Sequence, residues 1–204
     1  MFPNILSVEQ QQLIPFVQSF KKEYYLVGGT AIALQIGHRQ SIDFDLFKLS
    51  NVQQVKINQR LSEFKVPYQL LFADSQSFHI LANDVKLTFF QYPFKITTKP
   101  TFEGIKMPDL LHLAAMKAYA LGRRAKWKDY VDLYFILKDY HSLEEISDKT
   151  QAIFGSIFSP KLFKQQLCYY KDIDYTEEVF YMENYAVSDD EIKRFLTELA
   201  TNTI

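Results

Sequence analysis

The chain has one cysteine, six glycines and no long apolar run. A single thiol, Cys168, excludes an internal disulfide framework and a cysteine metal cluster, and reads as a small buried hydrophobe. No stretch approaches the roughly 18 apolar residues of a membrane helix. The opening MFPNILSVEQQQ lacks the basic start and apolar core of a signal peptide. The expectation is a soluble cytoplasmic protein with no membrane partner. An excess of one charge sign is also missing: 23 Lys and Arg stand against 24 Asp and Glu, a net charge of -1. There is no global basic footprint for nucleic acid, so any such binding must come from a local patch. Internal repeats, low-complexity segments and Gly/Ser-rich linkers are absent. What is plentiful is aromatic surface, with 18 Phe and 13 Tyr among 204 residues that are 48% hydrophobic. That excludes disorder and suffices for one core with an appended lobe.

Ser7 and Gln10 have capping-box spacing, which predicts a short helix that Pro15 interrupts or kinks. YYLV at 24–27 reads as a strand, TAIALQI at 30–36 as a helix, and Gly37 as its stop. SIDFDLF reads as a strand with Ile42, Phe44 and Leu46 on one side, and VQQVKINQRLSEF as a helix. Three strand-like runs follow, YQLLFA, SFHILA and DVKLTFFQY, with a turn at Asn83-Asp84 between the last two. After Pro108 the pattern turns helical: DLLHLAAMKAYALGR, WKDYVDLYFILKDY, then segments near 143–154, 159–170 and 188–200. The expected architecture is α+β, a mixed sheet with flanking helices over residues 1–105 and a helical lobe over 106–204.

Two features carry chemistry. Asp43 and Asp45 sit at i and i+2 of a strand and so face one way. Carboxylates about 5 Å apart repel by roughly 3 kcal/mol at an effective dielectric near 20. A divalent cation between them reverses that sign, and magnesium suits one or two carboxylates plus substrate phosphates. The plainer alternative is two acids facing water. The second feature is Gly28-Gly29-Thr30, a strand, two glycines and a helix that opens at Thr30. Missing side chains let backbone N–H groups reach an anion, the helix N-terminus favours it, and Thr30 adds a hydroxyl donor. The alternative is an ordinary tight turn. The run is neither a Walker loop nor a dinucleotide fingerprint. Placed on neighbouring strand ends, the two features would hold a nucleoside triphosphate with its magnesium.

The stretch VGGTAIAL…GHRQSIDFDLF resembles the opening motif of polymerase-β-type nucleotidyltransferases, and more closely that of the AbiEii/AbiGii abortive-infection toxins. MPDLLHLAAMKAYALGRRAKWKDYVDLYFIL is similar to that group's second signature, and QQLCYYKDIDYTEE to its C-terminal region. The resemblance spans about residues 7–198. It implies a polymerase-β-like core, a helical lobe that completes the active-site cleft, and magnesium-dependent transfer of a nucleotide, with Mn2+ as the alternative ion. It assigns Gly28, Gly29 and Thr30 to the triphosphate, Asp43 and Asp45 to the metal, and Lys117 and Asp129 to catalysis. It implies an NTP substrate, an RNA (tRNA-like) or protein acceptor, and a cognate antitoxin. One departure stands out: Thr88 occupies the place where such enzymes often carry a third carboxylate, and Asp84, four residues earlier, lies roughly 13 Å away along the strand. That departure favours the alternative of a catalytically weak or inactive nucleotide- or RNA-binding module.

Residues of the helical half add charge. Lys117 shares a helix face with Leu110, Leu113, Ala114 and Leu121, where it needs an anion or must snorkel out. A triphosphate or Asp129 would supply the anion. Asp129 and Asp132 share a face of the next helix; Asp129 also suits the first-turn dipole, and Asp132 reads as a structural partner for a lysine or arginine. Arg123, Arg124, Lys126 and Lys128 surround Trp127, either as a grip on acceptor phosphates with Trp127 stacked on a base or as a solvated connector around a core tryptophan. Arg39, in the loop before the aspartates, could reach substrate phosphate or lie on the surface. The histidines show no metal spacing and no nucleophile triad.

Overall fold

A computed structural model describes residues 1–202. The chain forms two compact units, Met1–Asp109 and a second that begins at Leu110.

The first unit is built on a five-stranded sheet. Its strands are β1 (Tyr25–Val27), β2 (Phe44–Lys48), β3 (Gln69–Ala73), β4 (Ser77–Ala82) and β5 (Val85–Gln91). Their spatial order is β1-β2-β5-β4-β3. β2 and β5 run parallel and every other neighbouring pair is antiparallel, so the sheet is mixed. Asn83 and Asp84 both have positive φ, at 48° and 59°, the geometry of a two-residue hairpin between β4 and β5.

Three helices accompany the sheet: α1 (Val8–Gln18), α2 (Gly28–Ile36) and α3 (Gln54–Glu63). The Ser7–Gln10 capping box is formed at the start of α1. Pro15 does not end that helix, which runs on to Gln18; a proline removes one intrahelical N–H, and burial of Leu13 before it and of Phe16 and Val17 after it holds the turn. Phe16, Phe20, Tyr24 and Phe89 pack edge to face, with centroids 4.8–5.7 Å apart, over the buried sheet side that carries Phe44, Leu46 and Leu87.

Two boundaries differ from the sequence expectation. α2 begins at Gly28, so the glycines are its first turn and not a turn before it. β2 begins at Phe44, and Ile42 is 49% exposed and not a core residue. The ladder explains this: pairing with β5 starts at Phe44↔Leu87 and pairing with β1 ends at Val27↔Asp45, so nothing covers residue 42. A small hairpin of β6 (Thr101–Phe102) and β7 (Ile105–Lys106) closes the unit.

The second unit is helical: α4 (Leu110–Leu121), α5 (Trp127–Asp139), α6 (Leu143–Phe154), α7 (Pro160–Leu167) and α8 (Asp189–Thr201). Tyr119 stacks flat on Phe154, 3.9 Å apart, and joins α4 to α6. The Tyr134 ring meets Phe195 edge-on at 5.2 Å and joins α5 to α8. Among the described residues no helix is long and apolar enough to cross a membrane.

Candidate nucleotide site

The first unit brings most of its predicted site residues together around the start of α2. Gly28 has φ +74°, and a Cβ there would overlap Asp45 Oδ2. A Cβ on Gly29 would lie 2.5 Å from an Arg39 guanidinium nitrogen and 3.0 Å from Ser41 Oγ. The glycines are therefore required on two counts: backbone conformation at Gly28, and close approach of an acid and a base at successive positions. Val27 caps α2 with no side-chain hydrogen bond, so the first N–H groups of the helix are not answered by a capping side chain. An anion is the ligand such a helix start favours.

Thr30 plays a different part from the one its hydroxyl suggested. It is buried, and its Oγ1 bonds the Asp43 carbonyl oxygen and lies 2.9 Å from Ser41 Oγ. A carbonyl only accepts, so the single threonine proton goes to Asp43, and Ser41 must donate to Thr30. Thr30 thus fixes the backbone that carries Asp43, and what it offers a phosphate is its N–H. Ser41 is part of this arrangement and was not visible in the sequence; only its spacing from Asp43 could have hinted at it. Gln10 of α1 also points its amide at the Asp43 carbonyl, at 3.5 Å.

Asp43 stands one residue before β2 and Asp45 within it. Burial alternates from there, with Asp43, Asp45 and Phe47 half-buried and Phe44, Leu46 and Lys48 buried. Arg39 is not a surface arginine: it is 2% exposed, lies against Gly29, and donates from a terminal nitrogen to the Gln40 carbonyl at 2.9 Å.

The sheet register settles what lies beside Asp45. Its partner on β5 is Thr88, and the partner of Thr88 on β4 is His79. Cross-strand partners point to the same side, so Asp45, Thr88 and His79 form one row across three strands. Asp84 lies in the hairpin turn and not on β5. Among the described residues no group of three or more His, Cys, Asp or Glu is arranged to hold a metal. Two carboxylates at a strand end beside a glycine turn still fit magnesium, which is commonly held by one or two carboxylates with phosphate and water completing its shell.

In the helical unit, Lys117 and Asp129 are both buried and bonded to each other, and Lys117 Nζ is 2.8 Å from Asp132. Arg124 Nε reaches the other Asp129 oxygen at 3.1 Å. Burial pushes the Asp129 carboxyl up, but Lys117 and Arg124 more than offset it and hold its pKa below the ordinary carboxylate value. The basic segment is largely answered within the unit. Lys126 bonds Glu177, Lys128 lies 3.5 Å from the same carboxylate, and the Arg123 guanidinium sits 3.6 Å from the Tyr119 ring centroid. Trp127 is 4% exposed and donates to Asp189 at 3.1 Å, so it is a core residue and not a platform for a base.

No protein-family model matches the chain. It is 28% identical over 184 residues to an uncharacterised protein of Aquifex aeolicus, covering 86% of this chain and 87% of that one. Among solved structures it is similar to a Helicobacter pylori protein assigned as a nucleotidyltransferase, with a TM-score of 0.65 and 15% identity over 95% of this chain and 92% of that chain. It is also similar to MenT4, a nucleotidyltransferase toxin of Mycobacterium tuberculosis, with a TM-score of 0.60 and 12% identity over 96% of this chain and 82% of that chain. At such identities the likeness is one of fold: the chain has the α+β fold of nucleotidyltransferases.

Proposed function

We propose that this protein moves a nucleoside monophosphate from an NTP to an RNA or protein acceptor, with magnesium, as the toxin of an AbiEii-type toxin–antitoxin pair. The observation that carries the proposal is the contact between Gly28 and Asp45. It sets the carboxylate that we assign to magnesium against a helix start that favours an anion, and a metal–triphosphate would need both. The fold shared with a nucleotidyltransferase toxin supports it.

In this mechanism the N–H groups of Gly28, Gly29 and Thr30 bind the β- and γ-phosphates, and Arg39 adds fixed positive charge behind them. Asp43 and Asp45 would hold magnesium, which would offset charge on the transferring phosphate. Thr30 and Ser41 keep the Asp43 backbone in place. The acceptor hydroxyl attacks the α-phosphate in line, and pyrophosphate leaves. The family resemblance alone also assigns Lys117 and Asp129 to catalysis.

A second proposal has one observation in its favour. Thr88, a residue that ionises neither way, stands in register with Asp45 where a third carboxylate would complete a two-metal site. The protein would then bind a nucleotide or RNA without turnover.

A label-transfer assay separates the two. Protein, magnesium and each α-labelled triphosphate are mixed with cell RNA and cell protein, beside Asp43→Ala and Asp45→Ala. Label on one acceptor class, lost in both variants, is the expected result. Magnesium-triphosphate binding without any label favours the binding module.

A further inference from the structure

If nucleotidyl transfer is the function, some group must take the acceptor's proton, and Thr88 has no carboxylate to do so. Asp84 is in the hairpin turn, and Asp129 is bonded to Lys117 and Arg124. The register supplies a different group. His79 lies on the same sheet face as Asp45, with Thr88 between them. Strands stand about 4.8 Å apart, so His79 begins one strand beyond the position a third carboxylate would take, and its longer side chain makes up part of that distance.

We propose that His79 is the general base of the transfer reaction and that the Thr88 hydroxyl relays the proton to it. This inference rests on the function proposed above. A threonine hydroxyl accepts one hydrogen bond and donates another, so it can bridge an acceptor hydroxyl and an imidazole. As the acceptor oxygen forms its bond to the α-phosphorus, its proton passes to Thr88 Oγ1. The Thr88 proton passes to a ring nitrogen of His79. The bond from the α-phosphorus to the bridging oxygen breaks, and pyrophosphate carries the electron pair away. The proton on His79 returns to solvent.

The surroundings suit a base. His79 is half-buried in mid-strand, with the Phe72 ring of β3 at 5.7 Å. Burial and Lys86 of β5 lower its pKa from 6.5 while Asp74, after β3, acts the other way, so the ring is neutral at pH 7. A neutral imidazole has the lone pair a base requires.

Turnover of an α-labelled triphosphate is followed in wild type, His79→Gln, Thr88→Val and Thr88→Asp. His79→Gln is expected to lower kcat by about 10²-fold with KM for the triphosphate little changed. It should also remove the acid limb of the pH profile that lies below the ordinary imidazole value, leaving only the carboxylate limb. Thr88→Val should lose a comparable factor. Thr88→Asp puts a carboxylate back in the row, and in that background the His79→Gln loss should largely disappear. A second readout does not depend on turnover: the His79 ring resonances, assigned through the His79→Gln spectrum, should shift when magnesium and a non-hydrolysable triphosphate bind. Full activity in His79→Gln, an unchanged acid limb, or bound triphosphate with unmoved His79 resonances each overturns the assignment and leaves the transferase proposal standing. No turnover by wild type under any condition overturns both.

Discussion

The two units bury charge in different ways. In the helical unit the Lys117 ammonium has opposite charge in contact with it, from Asp129 and Asp132, and Arg124 completes the balance. In the sheet unit two charged side chains approach glycines. Asp45 abuts Gly28, and Arg39 abuts Gly29. Lys48, 4% exposed, meets the face of the Tyr24 ring, with its nitrogen 4.6 Å from the centroid. A charge enclosed by counter-charges is satisfied without a ligand. A charge set beside a glycine comes close to the backbone of the first helical turn, which a side chain there would prevent. The difference makes the start of α2 the place to test the proposed nucleotide site, and the Lys117 cluster the place to test the packing of the helical unit.

The largest test of that contrast is Lys117→Met. It leaves two buried carboxylates without their shared cation, and loss of one partner from a buried ion pair costs about 3–5 kcal/mol. Urea unfolding of the variant should show it, and adding Asp132→Asn should recover part of the loss. The pH dependence follows from Asp129. Its folded pKa lies below the ordinary carboxylate value of 3.8, so the stability it contributes is fully present above 3.8 and is lost as pH falls through the folded value. If Lys117→Met unfolds at the wild-type urea midpoint, the cluster is not structural and the contrast fails.

Gly28→Ala comes next. The residue holds φ +74°, and the added methyl would overlap Asp45 Oδ2. Strain of this kind costs about 1–3 kcal/mol. The sharper readout is binding, because the methyl displaces either the helix start or the carboxylate. Magnesium-triphosphate affinity should fall by more than about tenfold, a change of roughly 1.4 kcal/mol, by calorimetric titration. Unchanged affinity would show that the glycine turn is an ordinary one.

Much of this was legible in the chain because it is local. The Ser7–Gln10 capping box, the 3.6-residue helical patterns and the Asn83-Asp84 turn depend on neighbours within a few positions, and each placed its element within a few residues. The departures arise where a remote partner decides. Ile42 continues the strand alternation but has no neighbouring strand to cover it. Thr30 looks like a phosphate donor until Asp43, thirteen residues on, accepts its proton. Arg39 reads as a loop arginine because nothing local shows that Gly29 will make room for it. The Asp45–Thr88–His79 row depends on β2 and β5 lying parallel with two strands between them in sequence, and no local pattern encodes that pairing. For the same reason His79 was unremarkable among the histidines until its register was known.

The smallest expected effect sharpens the contrast from the other side. Lys48 lies on the sheet side opposite Asp45, and burial lowers its pKa, as do Lys56 and Arg60, with only Glu23 acting to raise it. A base whose folded pKa lies below 10.5 holds fewer protons in the folded chain than in the unfolded one between those values. Its penalty is therefore full at neutral pH and is relieved as pH rises through the folded pKa. Lys48→Met keeps the stem that packs on Tyr24 and removes the charge. It should leave stability unchanged or raise it by about 1 kcal/mol at pH 7, since replacing buried charge by apolar volume is often neutral or favourable. The gain over wild type should shrink on the alkaline side as wild-type Lys48 discharges. Equal chemistry at Lys48 and Lys117 would make the two substitutions alike; opposite signs in one unfolding series would show that what surrounds a buried lysine decides whether its charge supports the fold or burdens it.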